Sequence, residues 1–411
     1  MLERAAGIAH TPLEGVRVLD VTRFLAGPYA GWILAELGAD VIKVEDPDRP
    51  DEARTVGPFF QGDQSLYFAA LNSGKRSLSL RLRSPEGRDL FLELARDADV
   101  VLDNHKPGVM DRLGLGSEAL LKHNPQLVTC SLSGFGATGS LRERAGYDYT
   151  IQALSGVMSM TGEPDAAPGK AGISYVDHSG GLAAALAVCA ALVKRLKSGV
   201  GGHVDLALFD IQVSMLSYLA AWQLNAGFPG ERTPSASHPS LVPAQNFATQ
   251  DGYISIFVGN DYMWARLTAA LDDPSLFRDE FRLSEGRRQG RESLVEHLER
   301  LISTKSSRHW VTLLENHHVP CARVNDLAQA LVEPQVGERG MLAEAKHPTY
   351  GTYQLIRGPL SQLAPDGVLA APLLGEHTIG ILRGSGIDET RVQELLKQGT
   401  VTTAKPCDAA R

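Results

Sequence analysis

VRVLDVTRFLAGPYAGWILAELGADVIKVED, residues 16–46, is the stretch on which the fold reading turns. VRVLDVT (16–22) is an apolar strand with no clear polar face, FLAGP turns the chain, and YAGWILAELG (29–38) reads as a helix stopped by Gly38. DVIKVED (40–46) is a second strand of the same kind. Strands without a polar face need cover on both sides, which is the condition of a parallel sheet flanked by helices.

The alternation continues outward. RSLSLRL (76–82) sets Leu78, Leu80 and Leu82 at period two, and SPEGRDLFLELARDA (84–98) opens a helix with Ser84, Pro85 and Glu86. DVVLDN (99–104) is a strand, SEALLKHN (117–124) a helix, QLVTCSLSGF (126–135) a strand. In such sheets ligands sit at the carboxyl ends of the strands. An apolar helix is expected over 182–196, a strand over 202–210 and another apolar helix over 211–227. The Pro- and Ser-rich stretch 228–245 reads as a linker, and 246–261 as a hairpin turning at Asp251-Gly252. The last helical pattern, 377–399, can fold back onto the first domain across a whole intervening one.

Composition sets the class. The 411 residues are 43% hydrophobic and 21% charged, ordinary for two or three globular domains. A net charge of −8 argues against a nucleic-acid surface, so anionic ligands must be met by local basic residues or backbone amides. Cys130, Cys189, Cys321 and Cys407 lie far apart without CxxC spacing and read as reduced thiols of a cytoplasmic protein. The opening MLERAAGIAHTPLEG lacks the pattern of a signal peptide, and the apolar run from Leu182 to Val193 is read as too short to span a bilayer.

Several motifs are weighed against plainer readings. GFGATG (134–139) matches G-x-G-x-x-G, but the polar SLRERAGYD follows where an apolar helix should hold a pyrophosphate, so it is read as a loop. No HExxH and no GxSxG occur, and no metal site is expected. Lys75, Lys106 and Arg112 lie in loops near strand ends, where phosphate contact competes with simple solvation. In ISYVDHSGGLAAALAVCAAL (173–192), Asp177 precedes a segment built to be buried, and on this stretch alone an N-cap is the economical reading.

Taken in order, VLDVTRFLAGPYAGWILAELGADVIKVE, LNSGKRSLSLRL, ADVVLDNHKPGVMDRLGL, SLSGFGATGSLRERAGYDYTIQALSGVMSMTGEPD and YVDHSGGLAAALAVCAAL resemble the class III CoA-transferase family, which also includes the α-methylacyl-CoA racemases. The resemblance implies an α/β fold with a Rossmann-like large domain made of the N-terminal half plus a C-terminal helix, a smaller α+β domain between, and two interlocked chains. The implied plan is a CoA-binding domain over 12–227, a linker over 228–245, a small domain over 246–345, a return segment over 346–375 and a packing helix over 376–400.

Asp177 matches the family's catalytic aspartate, a carboxylate nucleophile that divides one hard exchange into easier steps. The resemblance places Arg23, Leu25, Ala26, Tyr147 and Gly259 around the acyl group, and Lys75, Asn104, Lys106 and Arg112 on the CoA phosphates or adenine. Gly180 and Gly181 are read as permitting close approach of the substrate, and VGND (258–261) as standing where some members carry a lid. Arg23, Arg54 and His238 are candidates for a carboxylate clamp.

The racemases need a histidine where this chain has Tyr147, and a phenol with an ordinary pKa near ~10 is a poor base at neutrality. A racemase or epimerase is therefore the alternative. The favoured reading is CoA transfer from an acyl-CoA such as succinyl-CoA to a small carboxylic acid through an aspartyl-CoA thioester. It implies a homodimer acting on small-molecule carboxylic acids and acyl-CoA, with no permanently bound cofactor, nucleic acid or membrane partner.

Overall fold

A computed structural model describes residues 11–364 and 367–404; Cys407 and the first ten residues lie outside them. The described residues form two compact units. One holds the stretches up to Ser155, Gly172–Ser217 and Pro334 onward; the other holds Gly156–Ala171 and Tyr218–Glu333.

The first unit is built on strand–helix repeats: β1 (Arg17–Asp20), α1 (Ala26–Glu36), β2 (Asp40–Glu45), α2 (Leu66–Asn72), β3 (Arg76–Leu80), α3 (Pro85–Arg96), β4 (Val100–Asp103), α4 (Ser117–His123), β5 (Val128–Ser133), α5 (Asp148–Leu154), α6 (Tyr175–Ser198) and β6 (Gly202–Ala207). Far along the chain, α7 (Thr378–Gly384), α8 (Glu389–Lys397) and β7 (Val401–Thr402) rejoin this unit. The sheet order is β7-β3-β2-β1-β4-β5-β6, with β1 to β6 parallel and β7 antiparallel to β3. Strand order thus reverses between β1 and β4, the place where a doubly wound sheet opens a crevice for ligands.

Successive strand residues point to opposite faces, and both faces are dry. Val18, Val41, Val100 and Val128 pack with Ile33 and Leu34 of α1 and with Ala184, Ala185 and Val188 of α6. Their neighbours Leu19, Ile42 and Val101 pack with Leu78, Leu90 and Phe91, and with Ile381, Leu382, Val392 and Leu395 of α7 and α8. Fully burying each aliphatic side chain contributes about 1.5–3 kcal/mol, so cover on both faces explains strands with no polar side.

Three local expectations are corrected. The helix expected over 182–196 begins at Tyr175, so Asp177 lies in its first turn and Ser174 is the N-cap. This 24-residue helix is apolar and long enough to cross a bilayer by length and composition, contrary to the reading of its apolar run, yet Val176, Val188 and Leu192 are buried among α1 and β5 residues. The helix expected over 211–227 is two helices, Leu208–Met215 and Ser217–Ala226, parted where Ser217 takes φ 44°.

The second unit packs a three-stranded antiparallel sheet, Ala244–Thr249, Gly252–Phe257 and Cys321–Arg323, against helices that include Asp261–Leu271, Arg291–Ile302 and Ser307–Asn316. Its core includes Phe247, Ile254, Trp264, Leu298 and Trp310. A hairpin of Leu342–His347 with Gly351–Ile356 belongs to the first unit.

Candidate active site

At the switch point lies a cavity of about 520 Å3, within the range of small-molecule sites. Its wall comes from segments leaving the carboxyl ends of β1 (Arg23 to Ala26), β4 (Asn104 to Pro107) and β5 (Leu132 to Gly134), closed by Tyr147, Tyr67, Ser174 and Asp177.

Asp177 is half-buried in the first turn of α6. That turn is fixed by a buried carboxylate the sequence reading did not single out. Asp148 accepts a 3.0 Å hydrogen bond from the Val176 amide and a 2.7 Å bond from Gln152 Nε2. The start of α5 is thereby tied to the start of α6. His178, beside Asp177 in the chain, is engaged by the start of its own helix and by α1. Its Nδ1 is 2.7 Å from the Ser174 carbonyl and its ring stands edge-on to Tyr29.

Gly180 and Gly181 serve packing, which corrects their reading as substrate-facing positions. A Cβ at Gly181 would sit 2.6 Å from the Ala26 carbonyl, and one at Gly180 would run into the Leu208 side chain. Gly181 lets α6 lie against α1, which carries Ala26 into the cavity wall, and Gly180 lets α6 lie against Leu208, which also lines it.

The structure brings Arg23, Leu25, Ala26, Asn104, Lys106, Tyr147 and Asp177 to one cavity. Lys75 is a correction. Its ammonium is fully buried and donates to Asp20 Oδ2 at 2.8 Å, the Pro28 carbonyl at 2.8 Å and Asn72 Oδ1 at 2.9 Å. All three protons are used, so none is left for a phosphate. Arg112 is exposed at the end of the single turn Val109–Arg112 and does not line the cavity. Asn104 lines it, but its amide brackets the Arg23 backbone, accepting from the amide and donating to the carbonyl at 2.8 Å each. Gly259 belongs to the second unit, at a turn into Asp261–Leu271 where Asn260 caps the Met263 amide. Of the clamp candidates, Arg54 forms a bidentate pair with Glu45 at 2.8 and 2.6 Å, and His238 accepts from the amides of Ser240 and Leu241. Arg23 reaches Glu52 at 2.7 Å and the Pro50 carbonyl at 2.6 Å.

Tyr67, Arg142 and Arg144 also line the cavity and were missed. Arg142 and Arg144 sit in the polar run after GFGATG, a stretch that forms no helix before Asp148. Sequence alone cannot tell such arginines from solvated surface. Burial, with the Asp177 charge nearby, pushes the Tyr67 phenol up to about 12, so it remains a hydrogen-bond donor. Burial brings His105 down to about 4, with Arg23 and Lys43 acting the same way, so this wall residue is neutral. Asp103, at the end of β4, is pushed up to about 6 by burial despite a 2.6 Å bond from Ser131. Among the described residues no cluster of His, Cys, Asp and Glu could hold a metal ion.

The model of CoA-transferase family III matches residues 13–378. The chain belongs to this family. The transferase is 37% identical over 395 residues to human succinyl-CoA:glutarate CoA-transferase, covering 95% of this chain and 90% of that protein. It is 37% identical over 383 residues to succinate–glutarate CoA-transferase of Agrobacterium fabrum, covering 90% of this chain and 95% of that one. A crystal structure of a CaiB/BaiF family protein from Brucella suis superposes with a TM-score of 0.79 at 37% identity, covering 91% of this chain and 99% of that one. The transferase therefore moves CoA from an acyl-CoA to a carboxylic acid.

Proposed function

We propose that the transferase uses Asp177 as a covalent nucleophile, with a dicarboxylic acyl-CoA such as succinyl-CoA as donor and a small dicarboxylic acid of the glutarate kind as acceptor. The observation that carries the reading is the position of Asp177, in the first turn of an apolar helix and in the wall of a cavity at the sheet's switch point.

The Asp177 carboxylate attacks the thioester carbonyl; the C–S bond breaks and a mixed anhydride forms with CoA thiolate. The thiolate attacks the aspartyl carbonyl, releasing the donor acid as carboxylate and leaving aspartyl-CoA. The acceptor carboxylate displaces the thiolate to form a second anhydride. Thiolate attack on the acceptor's acyl carbon then gives the new thioester and regenerates Asp177. Each step exchanges one acyl bond for another, so thioester energy is retained while water is excluded.

In this scheme Tyr67 and Tyr147 bound the reacting carbonyl, and Phe24, Leu25 and Ala26 form the opposing wall. Arg142 and Arg144 meet the far carboxylate, and Lys106 meets a CoA phosphate. The first unit acts as the CoA-binding domain. We infer an interlocked homodimer, supported by a stripe along α6 in which Leu182, Leu186, Val193 and Leu196 are exposed, Leu196 to 80%. The free thiols of Cys130, Cys189 and Cys321 support a reducing, cytoplasmic setting.

Trapping tests the nucleophile. Incubation with succinyl-CoA followed by hydroxylamine is expected to leave a hydroxamate on the peptide containing Asp177. An unmodified Asp177 with several acyl-CoA donors would overturn the assignment and turn attention to solvent-deuterium entry at the α-carbon of a 2-methylacyl-CoA.

A further inference from the structure

Between β1 and α1 the chain turns through Phe24, which takes φ 65°. A bulky aromatic residue is disfavoured in this left-handed region, and it persists there only where its surroundings over-determine it. Here they do. The Thr22 amide donates to Asp20 Oδ1 at 2.9 Å, and the Thr22 carbonyl accepts from Lys43 Nζ at 2.9 Å. The Arg23 amide and carbonyl are both held by Asn104, and the Phe24 amide donates to Asp51 Oδ1 at 3.0 Å. Five consecutive backbone polar groups are tied, three of them to ionised side chains.

Those side chains are paired beneath the turn. Lys75 lies 2.8 Å from Asp20 and Lys43 lies 2.8 Å from Asp51, and all four side chains have no exposed surface. Two ammoniums and two carboxylates cancel in charge. None of the four lines the cavity, whereas Arg23, Phe24, Leu25 and Ala26 all do. A buried ion pair is weak evidence for stability, because an apolar replacement of similar size commonly does as well. Such a quartet beneath the turn from β1 to α1 therefore calls for a reason other than holding the core together.

We propose that Asp20, Lys43, Asp51 and Lys75 are positioning residues that fix the strained turn, so that Phe24 and Leu25 form a rigid wall opposite Asp177 for the transfer step. They touch no substrate, and their effect passes through the backbone of residues 22–24. Displacement of a positioned wall by about 1 Å can cost on the order of a hundredfold in rate. The loss belongs in kcat, because on the proposed reading the CoA phosphate is met by Lys106, in the segment after β4 rather than in this turn. This inference rests on the cavity being the site of CoA transfer.

The test compares two double variants with the quartet's charge balance kept. Lys43→Met/Asp51→Asn keeps an oxygen acceptor for the Phe24 amide; Lys43→Met/Asp51→Leu does not. Both are checked for folding by thermal melting. With succinyl-CoA as donor, the Leu variant is expected to lose about tenfold or more in kcat, with KM for the donor within about threefold. Amide exchange in the peptide spanning residues 20–27 should accelerate by a similar factor, and the Asn variant, which gives up the Lys43 bond to the Thr22 carbonyl but keeps the acceptor for the Phe24 amide, should lose clearly less in both readouts. A folded Leu variant with wild-type kcat, or an Asn variant that loses as much, overturns the proposal. If the Leu variant does not fold, exchange in the wild-type protein decides. The Arg23 and Phe24 amides must exchange as slowly as those of β1, and exchange at the rate of an open loop overturns the proposal. Wild-type turnover that disappears in Asp177→Asn separates the two readings. Where that turnover is absent the reaction assignment has failed, and the exchange measurement alone decides whether the turn is held.

Discussion

Asp177 shows how little a single residue discloses before its surroundings are known. On its own stretch of sequence it reads first as an N-cap, a place that Ser174 takes; within the first turn of α6, with Asp148 holding the preceding amide, it is a carboxylate presented to a cavity. Asp177→Asn should abolish transfer, lowering kcat on the order of 10^3-fold or more in a CoA-exchange assay, while acyl-CoA binding measured by calorimetry persists. Arg144→Leu should raise KM for a dicarboxylic acceptor about tenfold or more and leave a monocarboxylic acceptor unchanged, since a hydrogen bond to a charged group is worth about 1.5–3 kcal/mol. Equal loss for both acceptors would remove Arg144 from that role. Asp103 carries a pH prediction. It keeps its proton to about pH 6 in the folded chain against an ordinary 3.8. Its contribution to stability is complete below pH 3.8 and is lost as pH rises through 6. Asp103→Asn should therefore flatten the pH dependence of the melting temperature between pH 4 and 7 and make the folded chain more stable at pH 8, by on the order of 3 kcal/mol.

At the level of elements, the contact between α1 and α6 governs the site. Glycine at 181 allows the Ala26 carbonyl to come within the space a side chain would take. Gly181→Val must part the two helices, an overpacking that typically costs about 1–3 kcal/mol. It should lower the melting temperature and, because Ala26 and Asp177 ride on the two helices, also lower kcat. A stable variant with unchanged kcat would show that the wall tolerates the shift. Strands β1 to β5 and helices α1, α3 and α4 were legible because those strands bury both faces and those helices carry clear start and stop signals, whereas α2 and α5 were not. The split of 208–226 into two helices was not, since Ser217 takes its unusual φ within an uninterrupted apolar pattern.

For the whole molecule, the exposed stripe on α6 makes the oligomer prediction. Leu186→Glu/Leu196→Glu places two charges on side chains exposed to 72% and 80%. Light scattering should show the mass falling from two chains to one; a wild-type protein that is already a single chain would refute the dimer. The ordered set of motifs was enough to identify the family and, through that resemblance, to single out Asp177, and period and composition were enough for a parallel sheet. Those are local or additive properties of a chain. They do not fix which groups meet across long separations. Lys75 read as a phosphate ligand because a Gly-flanked lysine near a strand end looks the same whether it faces solvent or Asp20, 55 residues away. Tyr67, Asp148 and the arginines of the 134–146 loop gained meaning only when strand order reversed between β1 and β4 and opened the crevice they line. The sequence by itself determined the central strands, the family and, through the resemblance, the nucleophile's candidate. The tertiary structure decided which charges are buried and spent and which remain to meet a substrate, because that depends on packing between segments distant in the chain.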